Sequence, residues 1–169
     1  MLSESDARFD EFAAAAWPRL RRIGFLLTGD HHLAEDLAQI ALVKTYASWR
    51  RVRNDDAGAY ARRVLLNANI DRMRRRRLVE VGDAALDVVP VTGGEGGVAD
   101  RDQIVRLLAG LTDRERRVVV LRHYCDLSEA DVAHELGIAP GTVKSSLSRA
   151  LGKLRVSIVT ETDDARGTR

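Results

Sequence analysis

The sequence predicts an all-α protein, built as two small helical domains joined by a flexible acidic linker. Three observations carry that expectation. Apolar residues recur at spacings of three and four through residues 5–77 and again through 103–158, the period of amphipathic helices. Between these stretches lie Pro90 and the run Gly93-Gly94-Glu95-Gly96-Gly97, a glycine density that costs too much backbone entropy for an element interior. Charge is segregated as well. Residues 1–77 hold fifteen basic and ten acidic residues (+5), residues 78–102 one and six (−5), and residues 103–169 eleven and nine (+2). The chain therefore divides into 1–77, a linker 78–102, a second module 103–158, and a polar tail 159–169 expected to be disordered.

The first helix is expected from Ser5 to Leu27, with Phe9, Phe12, Ala13, Ala16, Leu20 and Ile23 on one side and Pro18 as a possible kink. Gly29 suits the helix end, and Asp30 can cap the next helix. That second helix, His31 to Val52, has an apolar side of Leu33, Leu37, Ile40 and Ala41. On its other side Asp36, Gln39, Val43, Tyr46 and Arg50 form a stripe at steps of three and four. A carboxylate, an amide and outward apolar groups together suit docking onto another helix, although a plain solvated face fits the spacing equally.

The third helix, Asp56 to Arg77, carries Tyr60, Arg63, Val64, Asn67, Asp71 and Arg74 on one face and ends in five arginines within six positions. One or two basic residues complement the helix dipole; five repel one another unless an anion such as phosphate neutralises them. An aromatic ring and an amide beside arginines are the groups that stack on and hydrogen-bond to unpaired bases.

In the second module, Thr112-Asp113-Arg114-Glu115 and Ser128-Glu129-Ala130-Asp131 read as helix-opening capping boxes, the second with Asp in place of Glu. Residues 131–144 have helix-turn-helix spacing: small Ala133 lies four before the turn glycine Gly137, with Ile138 and Val143 as anchors. The helix that follows buries Val143, Leu147, Ala150, Leu151 and Leu154. It presents Thr142, Ser145, Ser148 and Arg149, flanked by Lys144, Lys153 and Arg155. From Ala139 to Arg155 there are four basic residues and no acid, an inventory suited to base edges and phosphates in a major groove. His123, His134 and Cys125 are expected within helical packing.

Other classes find less support. No run approaches the ~18–20 apolar residues that span a bilayer, the acidic N-terminus is unlike a signal peptide, and a single cysteine excludes an internal disulfide. The expected location is the cytoplasm. His31, His32, Glu35 and Asp36 could in part share a helix face as metal ligands, but no third ligand cluster, nucleophile or phosphate-cradling loop accompanies them. We therefore expect no catalytic residue, metal or cofactor.

Taken in order, the stretches His32-Leu33-Ala34-Glu35-Asp36-Leu37-Ala38-Gln39, Tyr60 through Asn67 to Asp71 and the arginines, Leu111-Thr112 to Glu115, Val120-Leu121-Arg122 and Gly141-Thr142-Val143-Lys144-Ser145 resemble the bacterial group IV (extracytoplasmic-function type) RNA polymerase sigma factors, and within them the compact actinobacterial SigE-like subfamily. The resemblance implies an alternative sigma factor that binds core RNA polymerase and melts promoter DNA. Asp36, Gln39, Val43 and Arg50 would meet the clamp helices of the largest subunit, and the flap region of the polymerase is a further expected contact. Tyr60, Arg63, Asn67, Asp71, Arg74 and Arg75, with the loop Val52 to Gly58, would hold the −10 element. Thr142, Lys144, Ser145, Ser148, Arg149 and Lys153 would read the −35 element. The linker would thread toward the active-site cleft and RNA exit path, and an anti-sigma factor is a possible further partner. Ser146 stands where many members have arginine, which points to a different −35 sequence, and Tyr60 replaces a common tryptophan. The rival reading is a stand-alone helix-turn-helix DNA-binding regulator.

Overall fold

A computed structural model describes residues 4–52, 56–80 and 99–167, with the side chains of 103–162 in the last stretch. The glycine-rich part of the acidic linker and residues 53–55 of the expected promoter loop lie outside the described residues. All elements among the described residues are helical, and the chain divides into two compact units, residues 1–91 and 92–169.

In the N-terminal unit, α1 (Glu4–Thr28) packs on α2 (His31–Ala47), and α2 on α3 (Ala57–Glu80). Helix α1 runs unbroken through Pro18 and ends at Gly29, whose φ of 70° only glycine adopts freely. Asp30 then opens α2, its carboxylate accepting from the Leu33 N–H at 2.9 Å. The core sets Leu20, Ile23, Leu26 and Leu27 of α1 against Leu37 and the alanines 34, 38 and 41 of α2. Those small residues let the helices approach closely. A Cβ placed on Gly24 would sit 2.9 Å from the Ala34 Cα.

Three expectations need correction here. Helix α2 stops at Ala47 rather than Val52, because the chain turns at Ser48 to carry Trp49 onto the start of α1; the Trp49 indole N–H donates to the Ser5 carbonyl at 3.1 Å. Ile40, expected inside, is 40% exposed. Helix α3 runs to Glu80, into the stretch read as linker.

In the C-terminal unit, α4 (Ala99–Ala109) leads to α5 (Asp113–Val119), which continues as a π-helical turn over Val120–Tyr124. Helices α6 (Glu129–Leu136) and α7 (Pro140–Gly167) complete it, and α5 and α6 both pack on α7. The Thr112–Glu115 capping box is formed in both directions. At Ser128 the hydroxyl accepts from the Asp131 N–H but donates to the Asp131 carboxylate, since Asp is too short to reach back to the backbone. The α6–α7 turn is made at Gly137 with φ of 62°, while the Ile138 N–H reaches the Ala133 carbonyl at 3.1 Å, a helix-ending motif that satisfies a leftover acceptor.

Arg116 closes the other end of this unit. Its guanidinium donates to the carbonyls of Leu108, Ala109 and Leu111, capping α4, and its burial holds its pKa below the usual arginine range. Helix α7 continues through Gly167, so the residues expected as a disordered tail are helical that far; Gln103 of α4 donates to Glu161 at 2.8 Å. Cys125 is buried as expected, whereas His123 and His134 are exposed.

Candidate functional site

On α2, Asp36 and Gln39 are exposed and Val43 is 68% exposed. Ile40 joins them, so the outward face is more apolar than the sequence reading allowed. Arg50 does not continue the stripe on a helix; it lies in the turn beyond α2. Tyr46 does lie on α2, but its hydroxyl donates to Asp6 at 3.0 Å and its ring packs 4.8 Å from that of Phe9. That hydrogen bond to a carboxylate is the main cause of the raised Tyr46 pKa.

Phe9, Phe12 and Trp49 close an aromatic cluster with Tyr46, at centroid separations of 5.2 Å for Phe9–Trp49 and Phe12–Trp49. A cleft of about 390 Å³ opens beside it, lined by Asp6, Tyr46, Trp49, Arg50 and Arg51 among others. The sequence reading missed this cluster. Its only signal was the matching three-residue spacing of Phe9 with Phe12 and of Tyr46 with Trp49.

Along α3, Tyr60, Arg63 and Asp71 are half-buried and Asn67 is exposed. The Tyr60 and Ser48 hydroxyls are hydrogen-bonded at 3.0 Å, which fixes the ring at the start of α3 against the turn after α2. The arginine run is not one uniform face. Arg72 turns in to buried Asn69, Arg74 pairs with Asp71 at 3.2 Å, and Arg76 pairs with Glu80 at 2.8 Å. Arg75 is exposed. Exposed pairs of this kind are worth about 0–1 kcal/mol, so a phosphate can displace them at little cost.

On α7, Lys144, Ser145, Ser148 and Arg149 are exposed along one side, with Thr142 half-buried at its start. Lys153 is held elsewhere: its ammonium lies 2.8 Å from Glu115, whose carboxylate also lies 4.0 Å from the Arg149 guanidinium. The hydrogen bond from Lys153 is the main cause of the lowered Glu115 pKa, helped by the Thr112 N–H and opposed by burial. Ser146 is completely buried, and its hydroxyl has no hydrogen-bond partner. The Ser146 side chain therefore lies apart from the exposed row of Lys144, Ser145, Ser148 and Arg149.

At the start of α2, His31 stacks on Phe25 at 4.0 Å, and Glu35 pairs with Arg21 at 3.3 Å. No group of three His, Cys, Asp or Glu among the described residues could hold a metal ion. Among them, too, no helix is long and apolar enough to cross a membrane.

Two family patterns match the chain: Sigma-70 region 2 over residues 14–79 and Sigma-70, region 4 over residues 101–154. Their order defines the class, a two-region promoter specificity factor. The chain is 38% identical over 159 residues to the RNA polymerase sigma-E factor of Streptomyces coelicolor, covering 94% of this chain and 90% of that one. It is 35% identical over 158 residues to the ECF RNA polymerase sigma factor SigL of Mycobacterium tuberculosis, covering 90% and 87%. Among solved structures, the sigma factor RpoE co-crystallised with the anti-sigma factor NepR from Bartonella quintana matches with a TM-score of 0.73 and 28% identity, over 88% of this chain and 94% of that one. CnrH in complex with the cytosolic domain of CnrY, at a TM-score of 0.66 and 20% identity over 94% and 92%, shares the fold.

The chain belongs to the ECF RNA polymerase sigma factors. It binds core RNA polymerase and directs it to promoter DNA. A helix-turn-helix regulator acting alone does not account for the region 2 match over 14–79.

Proposed function

We propose that the work of initiation divides among three faces. Asp36, Gln39 and Val43, with Ile40 beside them and Arg50 at the end of the row, dock the N-terminal unit on the polymerase clamp helices. The observation that carries this is the exposure of Ile40 and Val43 beside the exposed polar side chains of Asp36 and Gln39, the makings of an apolar contact with polar register pins. Tyr60, Arg63, Asn67, Asp71, Arg74 and Arg75 hold the −10 element. Unpairing and unstacking a base there costs a few kcal/mol, and capture of the freed base against protein offsets that cost. Thr142, Lys144, Ser145, Ser148 and Arg149 face the −35 major groove, with Lys153 at the edge, reaching phosphate when it exchanges Glu115 for DNA.

On this reading the chain performs no chemistry of its own and acts in the cytoplasm, where the polymerase is. A protein inhibitor of the anti-sigma kind, such as the one captured on the Bartonella relative, is a further expected partner. Run-off transcription with core enzyme and promoters selected from a random library tests the whole reading. Specific transcripts are expected with the wild-type chain and a severe loss with Val43→Asp; full activity of that variant would remove the docking face from the reading.

A further inference from the structure

We propose that the first turns of α1 position the promoter-reading surface: Asp6, Phe9 and Phe12 hold the turn 48–52 in place, and through it the Tyr60 ring. This rests on the reading of Tyr60 as a −10 contact. The region 2 match begins at residue 14, so these three residues lie outside the part of the chain that the family pattern describes. They nevertheless join the start of α1 to the end of α2 and the turn after it. Trp49 donates to the Ser5 carbonyl and lies edge-on to Phe9, 82° between planes, while Tyr46 donates to Asp6. Between Tyr46 and Trp49 the backbone leaves α2 and turns, with Arg51 and Val52 N–H groups both returning to the Ser48 carbonyl.

Ser48 is the junction. Its backbone carbonyl organises the turn, and its hydroxyl holds the Tyr60 hydroxyl at 3.0 Å. Side chains on either flank of Ser48 are thus anchored to α1, and Ser48 itself is anchored to α3. Loosening the α1 contacts frees the turn on both sides of the residue whose hydroxyl holds the Tyr60 hydroxyl. A stacking platform acts only where its ring is held in place, since displacement by an ångström forfeits much of a positioned contact.

The arrangement predicts a larger effect on sequence discrimination than on polymerase affinity, because of the proposed docking residues Arg50 alone lies in the turn 48–52, the others on α2. Val43 and Gln39 lie about one and a half and two and a half helical turns before Ser48 and keep their own support from the buried alanines of α2.

The test uses the full chain with core polymerase. A −10 sequence is selected from a randomised library by the wild-type holoenzyme, and transcription from it is compared with transcription from its single-base variants. Phe9→Leu keeps apolar bulk but loses the ring geometry; Asp6→Ala removes the Tyr46 acceptor, and Asp6→Asn retains one. Discrimination is expected to fall about tenfold in Phe9→Leu and Asp6→Ala, the scale of one lost base-stacking contact, and to recover in Asp6→Asn, with core affinity changing far less than discrimination throughout. Unchanged discrimination in both variants overturns the proposal. So does an equal loss on every −10 sequence accompanied by weaker core binding, which is what a merely structural role produces. Tyr60→Ala is run in parallel. If it leaves discrimination intact, the reading of Tyr60 itself fails, and the proposal falls with it; if it abolishes discrimination while the α1 variants do not, only the proposal fails.

Discussion

Replacing Glu115 by Gln removes one charge from the C-terminal unit while keeping the shape of its capping box. The Thr112 hydroxyl can still accept from the residue 115 N–H, and a glutamine oxygen can reach back to the Thr112 N–H as the carboxylate does at 3.0 Å. What is lost is the negative charge on the oxygen that also accepts from Lys153 at 2.8 Å, together with the weaker pull on Arg149 at 4.0 Å. Hydrogen bonds to charged groups contribute about 1.5–3 kcal/mol when sheltered, but the Lys153 side chain is 47% exposed and can turn to water, so we expect a cost of about 1 kcal/mol. That is about fivefold in the ratio of folded to unfolded molecules.

The pH dependence follows from the lowered Glu115 pKa, whose main cause is the Lys153 hydrogen bond. A carboxylate whose pKa falls on folding contributes stability that is fully present above its unfolded pKa and is lost as pH falls through the folded one. The gap between wild type and Glu115→Gln is therefore full at neutral pH and closes in acid. Cys125, the single cysteine, is buried in this unit, so its rate of labelling by a pyridyl disulfide reports opening there. The ratio of variant to wild-type rates at each pH cancels the chemistry of the thiol itself. Trp17 and Trp49 both belong to the N-terminal unit, and their fluorescence serves as the control. Labelling is expected about fivefold faster in the variant at neutral pH, with the ratio approaching one in acid and the tryptophan signal unaltered. A ratio near one at neutral pH, or one undiminished in acid, refutes the assignment of Glu115 as a charged anchor.

Gly24→Ala should lower the stability of the N-terminal unit by about 1–3 kcal/mol, because the new methyl meets the Ala34 backbone; thermal unfolding followed by tryptophan fluorescence checks this, and a raised midpoint contradicts it. Ser146→Ala removes a buried hydroxyl without a partner and should stabilise the C-terminal unit by about 1 kcal/mol with no change in −35 preference, as Cys125 labelling and promoter selection would show. Val43→Ala should leave folding intact, since the side chain is exposed, and weaken core binding about tenfold, the effect of roughly 1.4 kcal/mol of lost apolar contact; titration of labelled protein with core polymerase measures it. Lys144→Ala should reduce the salt dependence of holoenzyme binding to promoter DNA by about one phosphate contact, and an unchanged slope would place Lys144 away from the backbone.

Much of the fold was readable from local chemistry. Gly29, Asp30, Thr112, Ser128 and Gly137 bound their helices because a cap or a left-handed φ is decided within a few residues of chain. Helix ends set by distant contacts were not readable in this way. Helix α2 stops early because Trp49 bonds a carbonyl more than forty residues away, and nothing between Thr45 and Val52 announces that. The reversal after the π-helical turn passes through Asp126 at φ of 54°, where the sequence offers no glycine to mark it.

The candidate site divides along the same line. Residue type and helical period were enough to gather Asp36, Gln39 and Val43 on one face and Lys144, Ser145, Ser148 and Arg149 on another, because position on a helix surface is a property of spacing alone. Which charges face solvent uncommitted was a tertiary matter. Lys153 looks outward by periodicity yet pairs with Glu115, and Arg72 belongs to the arginine run yet turns to Asn69. Ser146, one position from the exposed Ser145, is wholly buried, since adjacent helical residues point about a hundred degrees apart and the packing of the neighbouring helices decides where the boundary falls. Period, caps and composition thus specify the helices and the two modules, and the ordered motif stretches carry the resemblance to the family. Packing decides where α2 ends, that Lys153 is already paired, and how the start of α1 comes to hold the turn after α2, because each depends on residues far apart in sequence that the fold brings together.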